Sequence, residues 1–466
     1  MQKGKELFLK KIIMNKVAKN KSKGVVSMPL INPNAAGIDV GDTLFSVAVP
    51  EGSDKQRYRE FTAFTCDLKA IAAWLKECGV ETVAMESTGV YWKSLFSVLI
   101  HEGFEVYLVN AKHVKNVTGR KTDEKDAMWI QRLHSCGLLS SCFLPDEHTE
   151  TLRTLVRFRR ALMQDSSRFI LRMQKALELM NIKIHTVISD ITGKTGTGII
   201  EAIIAGQRNP ENFIPLMDAR IKAPLEILLK SLEGNWSKEH LCTLKVSYEM
   251  YNQLQQKITE LEKVIEETLQ AYAALKNDGE ILPLEKKDKP KKIKRKTKNQ
   301  PAFNTRNYLH QIHGTDVIEI FGISELCALE VLAETGTDLS KWENENKFTG
   351  WLNLCPNNKV SGGKLISSHK LKKKPNLATQ AFRTAANSLR QSNNWLGDYF
   401  RRMRAKGGNK YAIVATARKI AIIYYKMIRY KQAFDPIDLK EYQEKYKAAK
   451  IAWLERKLRQ LKGEAA

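Results

Sequence analysis

Acid is scarce relative to base in this chain: 51 Asp and Glu stand against 76 Lys and Arg, a net charge of +25 on 466 residues. An imbalance of that size speaks about partners and not about fold, and the ordinary partner is a polyanion. Cysteine is sparse and unpatterned. Cys66, Cys78, Cys136, Cys142, Cys242, Cys327 and Cys355 make an odd count of seven with no CxxC pair. That argues against a disulfide framework or a zinc site and for a reducing, cytoplasmic compartment. No stretch approaches the roughly 18 apolar residues of a membrane span, so no membrane partner is expected. The opening MQKGKELFLKKIIMNKVAKNKSKG is lysine-studded and has no long apolar core followed by a small-residue cleavage site. Residues 1–30 are therefore expected to form a basic arm and not a secretion signal. Hydrophobic residues, at 43%, are ample for packed cores, and the length suggests about three domains.

Four acids in the first third carry the most chemical information. Asp39 lies in AAGIDVGDTLFSVAVP, where an apolar run reaches the acid and resumes after Gly41-Asp42. That pattern predicts a β-hairpin with the acid near the end of its first strand. Glu86 closes the apolar stretch of ETVAMESTGVYW, again where a strand runs out. Asp123 and Asp126, in KTDEKDAMWIQRLH, stand three apart at the start of a helical pattern and so share one face. Two strand-end acids and a helical pair can converge on one or two divalent ions. Without metal, like charges about 4 Å apart repel by roughly 4 kcal/mol at an effective dielectric near 20. Oxygen ligands favour magnesium, with manganese as the substitute. Two such ions would stabilise the attacking and leaving oxygens of a phosphodiester displacement. The bland reading is that each acid caps a helix or closes a turn.

Along the chain, residues 31–146 alternate strands and helices in an α/β pattern. Residues 147–276 turn helical: an arginine-bearing stretch that includes Arg157 and Arg160 precedes a 3-4-3-4 apolar seam at Tyr251, Leu254, Ile258, Leu261 and Ile265, broken at Thr268 and resumed at Tyr272 and Leu275. The seam can pair inside the chain or with a second copy, self-association being the slightly favoured reading. Residues 277–303 form a linker, and Lys286 to Lys298 holds nine basic residues, one acid and one proline. Such a segment is too charged to fold alone, and it would serve either as solvated spacer or as a phosphate-neutralising strap. A second compact, mainly α region spans 304–436. In it FGISELCALEVLAETG reads as a helix-hairpin-helix-like element or a plain packing turn. Further on, Ser361 precedes Gly362-Gly363 and is flanked by Lys359, Lys364, His369, Lys370 and Lys372, Lys373 and Lys374. The glycines leave the hydroxyl uncrowded and the cations would hold a phosphate, although SGG alone is usually a loop. Residues 437–466 read as a charged helical tail.

With those residues in view, the chain resembles the DEDD transposases of the IS110 group, bridge-RNA-guided recombinases of bacterial insertion sequences. GIDVG, MESTGVYW and KTDEKDA stand in the order of that family's RuvC-like (ribonuclease-H-like) domain, and KTDxxDA is the most specific of the three. FGISELCALEVLAETG, FTGWLNLCP, SGGK and the AIVATARK helix follow the order of its C-terminal transposase domain. The resemblance implies that Asp39, Glu86, Asp123 and Asp126 are catalytic metal ligands. By position it makes Ser361 the nucleophile that joins covalently to DNA. It also implies donor and target DNA, a structured guide RNA and a homo-oligomer, dimer or tetramer, as partners. Lys359, Lys364, Lys370, Lys372–Lys374, Arg157 and Arg160 are expected to contact nucleic acid. The chain departs from the family pattern in lacking a glycine doublet at the helix-hairpin-helix turn and in its longer basic linker.

Other readings differ in class. Asp39-Val40-Gly41-Asp42-Thr43 also fits the phosphate loop of actin-like ATPases and sugar kinases, but no second phosphate loop or adenosine-binding glycine pair follows it. A metal-dependent DNA junction nuclease acting by water attack would need the acids but not Ser361. An RNA-binding scaffold would need neither.

Overall fold

A computed structural model of the chain describes residues 29–110, 123–276, 299–370 and 376–461. The chain divides into two compact units, residues 1–144 and 145–466. No helix among the described residues is long and apolar enough to cross a membrane.

The first unit is built on a mixed five-stranded sheet. Strands β1 (Ala35–Val40), β2 (Leu44–Ala48) and β3 (Tyr58–Thr62) form an antiparallel meander. After helix α1 (Thr65–Glu77), β4 (Thr82–Glu86) returns parallel to β1 on its other side. Helix α2 (Trp92–His101) then leads to β5 (Glu105–Val109), parallel to β4. The order is β3-β2-β1-β4-β5. Side chains alternate between the two faces of each strand. Ala36, Ile38, Val40, Val83 and Met85 enter one core with Leu68, Ile71 and Leu75 of α1 and Leu95 and Leu99 of α2. The other face is covered by helix α3 (Asp123–Ser135), whose Ile130 and Leu133 bury against Ala84 and Val109. The expected β1–β2 hairpin is present, its loop closed by the Gly41 N–H donating to Leu44 O at 3.0 Å. Strand β3 was not expected, because YREFT shows no apolar alternation and none of its residues is fully buried.

The second unit begins with the long helix α4 (Glu147–Leu179), capped by Asp146, which accepts from the Thr149 N–H. Helices α5 (Lys194–Ile204) and α6 (Leu225–Ser231) lead into α7 (Lys238–Lys276), which folds back antiparallel along α4. The register is marked by Thr149 with Tyr272 (3.0 Å), Arg159 with Glu262 (2.8 Å) and Gln255 with Ser166 (2.7 Å). The apolar seam therefore finds its partner within the chain, and this corrects the leaning toward self-association. Ile258, Ile265 and Tyr272 lie in it as expected, but Leu269 is buried and Leu275 is 59% exposed.

Helices α8 (Thr305–His313), α9 (Glu325–Thr335) and α10 (Glu345–Trp351) precede a hairpin of β6 (Pro356–Ser361) and β7 (Lys364–Lys370). Helix α11 (Leu377–Ser388), the long α12 (Trp395–Tyr430, interrupted at Gly407–Gly408) and α13 (Leu439–Leu461) complete the unit. Phe348, Phe382, Tyr424 and Tyr425 fill its core. The glycine turn before α9 serves packing: a Cβ on Gly322 would sit 2.6 Å from the Ala385 carbonyl oxygen of α11.

Arginines of α4 tie this region to the helical pair. Arg157 makes a two-pronged contact with Glu334, at 2.7 and 2.8 Å, and Arg160 donates to Glu330 (2.9 Å) and Gln380 (2.6 Å). Arg153 donates to the Ala333 and Glu334 carbonyls, and burial lowers its pKa. Both arginines expected to contact nucleic acid thus have carboxylate partners inside the protein. A surplus of positive charge says nothing of where each arginine points.

Arg159 and Glu262 are the most buried of these pairs, 4% and 8% exposed. The Ala302 N–H satisfies the second carboxylate oxygen and the Asn299 carbonyl accepts from Arg159. Removing one member of such a pair strands a buried charge, typically at roughly 3–5 kcal/mol, whereas an apolar pair of similar volume is often neutral. Glu262→Ala is therefore expected to lower urea-unfolding stability by about that amount, and Arg159→Met with Glu262→Leu to recover most of it. Equal losses in both variants would contradict the assignment.

Candidate functional site

The close crossing of α3 over β1 organises the carboxyl edge of the sheet. A Cβ at Gly37 would lie 2.2 Å from the Gln131 N and 2.5 Å from the Ala127 O, both backbone atoms of α3. Glycine in a strand interior is costly and commonly marks such an approach. The far end of α3 is fastened to the start of the sheet. Gln131 Nε2 donates to Ala35 O (3.1 Å), Ile31 and Asn32 donate to Ser135 O, and Thr82 Oγ1 hydrogen-bonds His134 Nε2 at 2.9 Å. Burial pushes the His134 imidazole below its ordinary pKa. Helix α3 consequently runs opposite to β1 and β4, and its N-terminus lies at their carboxyl ends.

That arrangement decides where the four acids go. Asp39 follows Gly37 by two residues and so shares its face, the one covered by α3. Glu86 follows Ala84 by two and shares the same face of β4. The parallel register pairs Ile38 with Met85, which sets Asp39 and Glu86 side by side one step further on. Neighbouring strands stand about 4.8 Å apart. Asp126 is half-buried one turn before the buried Ile130, and Asp123 begins the helix one turn before the buried Ala127. All four are thus carried to one face and one edge. Thr88 Oγ1, a residue not foreseen, donates to Glu86 Oε1 at 3.3 Å and orients that carboxylate.

The donor set at this edge is all carboxylate oxygen, which suits a hard divalent cation. Among the described residues no group of three His, Cys, Asp or Glu side chains is gathered closely enough to hold one. The Asp123 side chain lies outside the described residues. The backbone therefore brings the acids to a common edge, while the side chains of Asp39, Glu86 and Asp126 are not drawn into a ligand cage.

Ser361 sits in the other unit, at the tip of the β6–β7 hairpin. It pairs in register with Lys364 across Gly362 and Gly363, whose φ values of 54° and 73° are both left-handed. Two central residues with positive φ make the tight turn that joins twisted antiparallel strands, and glycine adopts it without a Cβ penalty. A Cβ at either glycine would meet nothing within 4 Å, and Ser361 and Lys364 are exposed. The loop expected from SGG is thus a formed hairpin with Ser361 exposed at its tip. Lys359 and Lys370 lie on the two strands; their side chains, and Lys372, Lys373 and Lys374 altogether, fall outside the described residues.

Residues 36–182 match a model of DEDD-type IS110 transposases, described as a transposase. Residues 315–401 match a model described as the transposase IS116/IS110/IS902 family. The first match takes in the four acids and the second takes in Ser361. No curated protein matches the chain.

Gly37→Val should force α3 off β1. Overpacking a filled contact costs roughly 1–3 kcal/mol, and the acids' edge would be displaced as well. Urea unfolding is expected to show that loss, while Gly350→Ala, which meets nothing within 4 Å, stays within about 0.5 kcal/mol of wild type. A wild-type unfolding curve for Gly37→Val would remove the close crossing from the account.

Proposed function

The chain belongs to the IS116/IS110/IS902 family of transposases, and from that premise we propose a serine recombinase that cuts and rejoins DNA with the help of divalent metal. The family implies metal-dependent nuclease chemistry in general; magnesium, with manganese as a substitute, is the ion this oxygen donor set suits best. We read the mixed sheet as a RuvC-like, ribonuclease-H-like domain in which Asp39, Glu86, Asp123 and Asp126 hold that ion. When bound, it supplies positive charge to the scissile phosphate and the leaving oxygen.

The remaining chemistry falls to the chain's own groups. Ser361 Oγ attacks phosphorus, an Oγ–P bond forms, the phosphodiester P–O bond breaks, and the hydroxyl proton passes to solvent. The leaving strand departs with a free hydroxyl. Attack of another strand's hydroxyl on the phosphoserine restores the phosphodiester, so rejoining needs no ATP. Serine is a poor nucleophile unaided, and the hairpin's contribution is access: Ser361 is exposed and pairs in register with Lys364, to whose ammonium we assign the binding of a phosphate oxygen. Donor and target sequence choice is delegated to a structured guide RNA, with two or four copies of the chain assembling around it. The acids' common edge is the observation that supports this reading most.

The test uses the full chain, RNA transcribed from the gene's flanks, end-labelled donor DNA and magnesium. Label that stays with the protein through denaturing electrophoresis is expected for wild type and is expected to vanish in Ser361→Ala and Asp39→Ala. Magnesium-dependent cutting that survives Ser361→Ala with no adduct would leave a junction nuclease acting through water.

A further inference from the structure

The last turns of α7 and α12 and the segment after α9 meet around a cleft of about 250 Å³ in the second unit. Its polar lining is Lys276, Arg429, Lys431, Thr337 and Asp338, over a floor that includes Ile312 and Ile428. The Asp338 carboxyl is held below its ordinary pKa chiefly by the Ser340 side chain and backbone N–H, with Lys341 and Arg429 adding to the effect. Within the lining three cations stand against one carboxylate; the charge of Lys276 also reaches the Asp146 carboxylate, and with that counted one positive charge is left over.

Cations at helix C-termini are favourable on their own account, and that accounts for Lys276 and Lys431 taken singly. It does not account for two helix ends bringing like charges together. Burial lowers the Lys431 pKa, and the neighbouring charge of Lys276 lowers it further, a conflict that an anion would relieve. Lys431 also takes the left-handed position that closes α12, with φ 53°, where glycine is the usual occupant. Its side chain gives that choice a purpose: Nζ donates to the His313 carbonyl at 2.8 Å, which fixes the ammonium at the cleft. An ammonium carries three N–H donors, so the contact with His313 occupies one of them.

Size narrows the ligand. Cofactors and drug-sized molecules take clefts of about 300–1,000 Å³, so this one suits a phosphate group better than a whole nucleotide cofactor. We propose that the cleft, which contains neither Ser361 nor any lysine of its hairpin, seats one backbone phosphate of the DNA that the protein handles. The proposal rests on the transposase reading and adds an anchor point to it.

The test is binding of labelled donor DNA duplex by the full chain, loaded with RNA transcribed from the gene's flanks, over a series of salt concentrations, comparing wild type with Lys276→Gln/Lys431→Gly. Glycine suits the left-handed backbone, so the end of α12 is retained, and thermal unfolding checks that it is. Each phosphate contact contributes about one unit to the slope of log affinity against log salt. The double variant is expected to lose about one unit of slope and to bind several-fold more weakly at low salt. Arg429→Gln, which leaves the backbone untouched, is expected to weaken binding in the same way, and Asp338→Asn to strengthen it. Folded variants with wild-type slope and affinity would overturn the cleft alone. Failure of wild type to bind any DNA would overturn the DNA-handling reading and this site with it.

Discussion

Everything at the carboxyl edge of the first unit depends on one steric allowance, the missing side chain of Gly37. Helix α3 lies so close to β1 that any other residue there would collide with backbone at 2.2 and 2.5 Å. Backbone cannot rotate aside as a flexible side chain can, so the contact sets the height of the helix over the sheet. Hydrogen bonds from Gln131, Ile31, Asn32 and Thr82 then fix its direction. With height and direction set, the first turn of α3 has one place to go, beside the ends of β1 and β4. Sequence-distant acids become neighbours through a glycine that carries no chemistry of its own.

The second unit is held in a different way. Its most extensive helix–helix contact among the described residues, α4 along α7, and the packing of α4 against α9 are punctuated by ion pairs involving Arg153, Arg157, Arg159 and Arg160. Buried ion pairs contribute little net stability, but each carboxylate rejects a slipped register that would leave it unpaired. Burial raises the Glu330 pKa even as Arg160 opposes the shift, the pattern of a carboxylate drawn into protein by its partner. Part of the positive surplus of this chain is therefore spent internally. Lys364 at the tip of the β6–β7 hairpin and the cations that line the cleft at the end of α12 are exposed, whereas Arg153 and Arg159 of α4 are buried.

Much of the acid edge was legible in the sequence because its signals are local. Apolar runs that end at an acid located β1 and β4, the resumption of the first run located the hairpin after Asp39, and a three-residue spacing put Asp123 and Asp126 on one helix face. What escaped depends on contacts distant in sequence. Gly37 looks like any strand glycine until α3 is seen above it. Strand β3 has no apolar period because it is the edge of the sheet. The β6–β7 hairpin is polar along PNNKVS and stands exposed, so composition read it as loop, although its two glycines were the right turn residues. The heptad seam was visible, but periodicity cannot say which helix fills it. Leu275 falls in register by counting and yet is exposed near the end of α7, with Leu269 taking the buried place.

The central proposal is that the edge built over Gly37 holds a divalent metal ion. The most direct measurement is titration of Mn²⁺ into the full chain, free of nucleic acid, with the bound ion followed by electron paramagnetic resonance. Wild type and Ser361→Ala should bind alike, whereas Asp39→Asn and Asp126→Asn, each folded by circular dichroism, should lose the bound ion. Undiminished binding in both acid variants would contradict the claim.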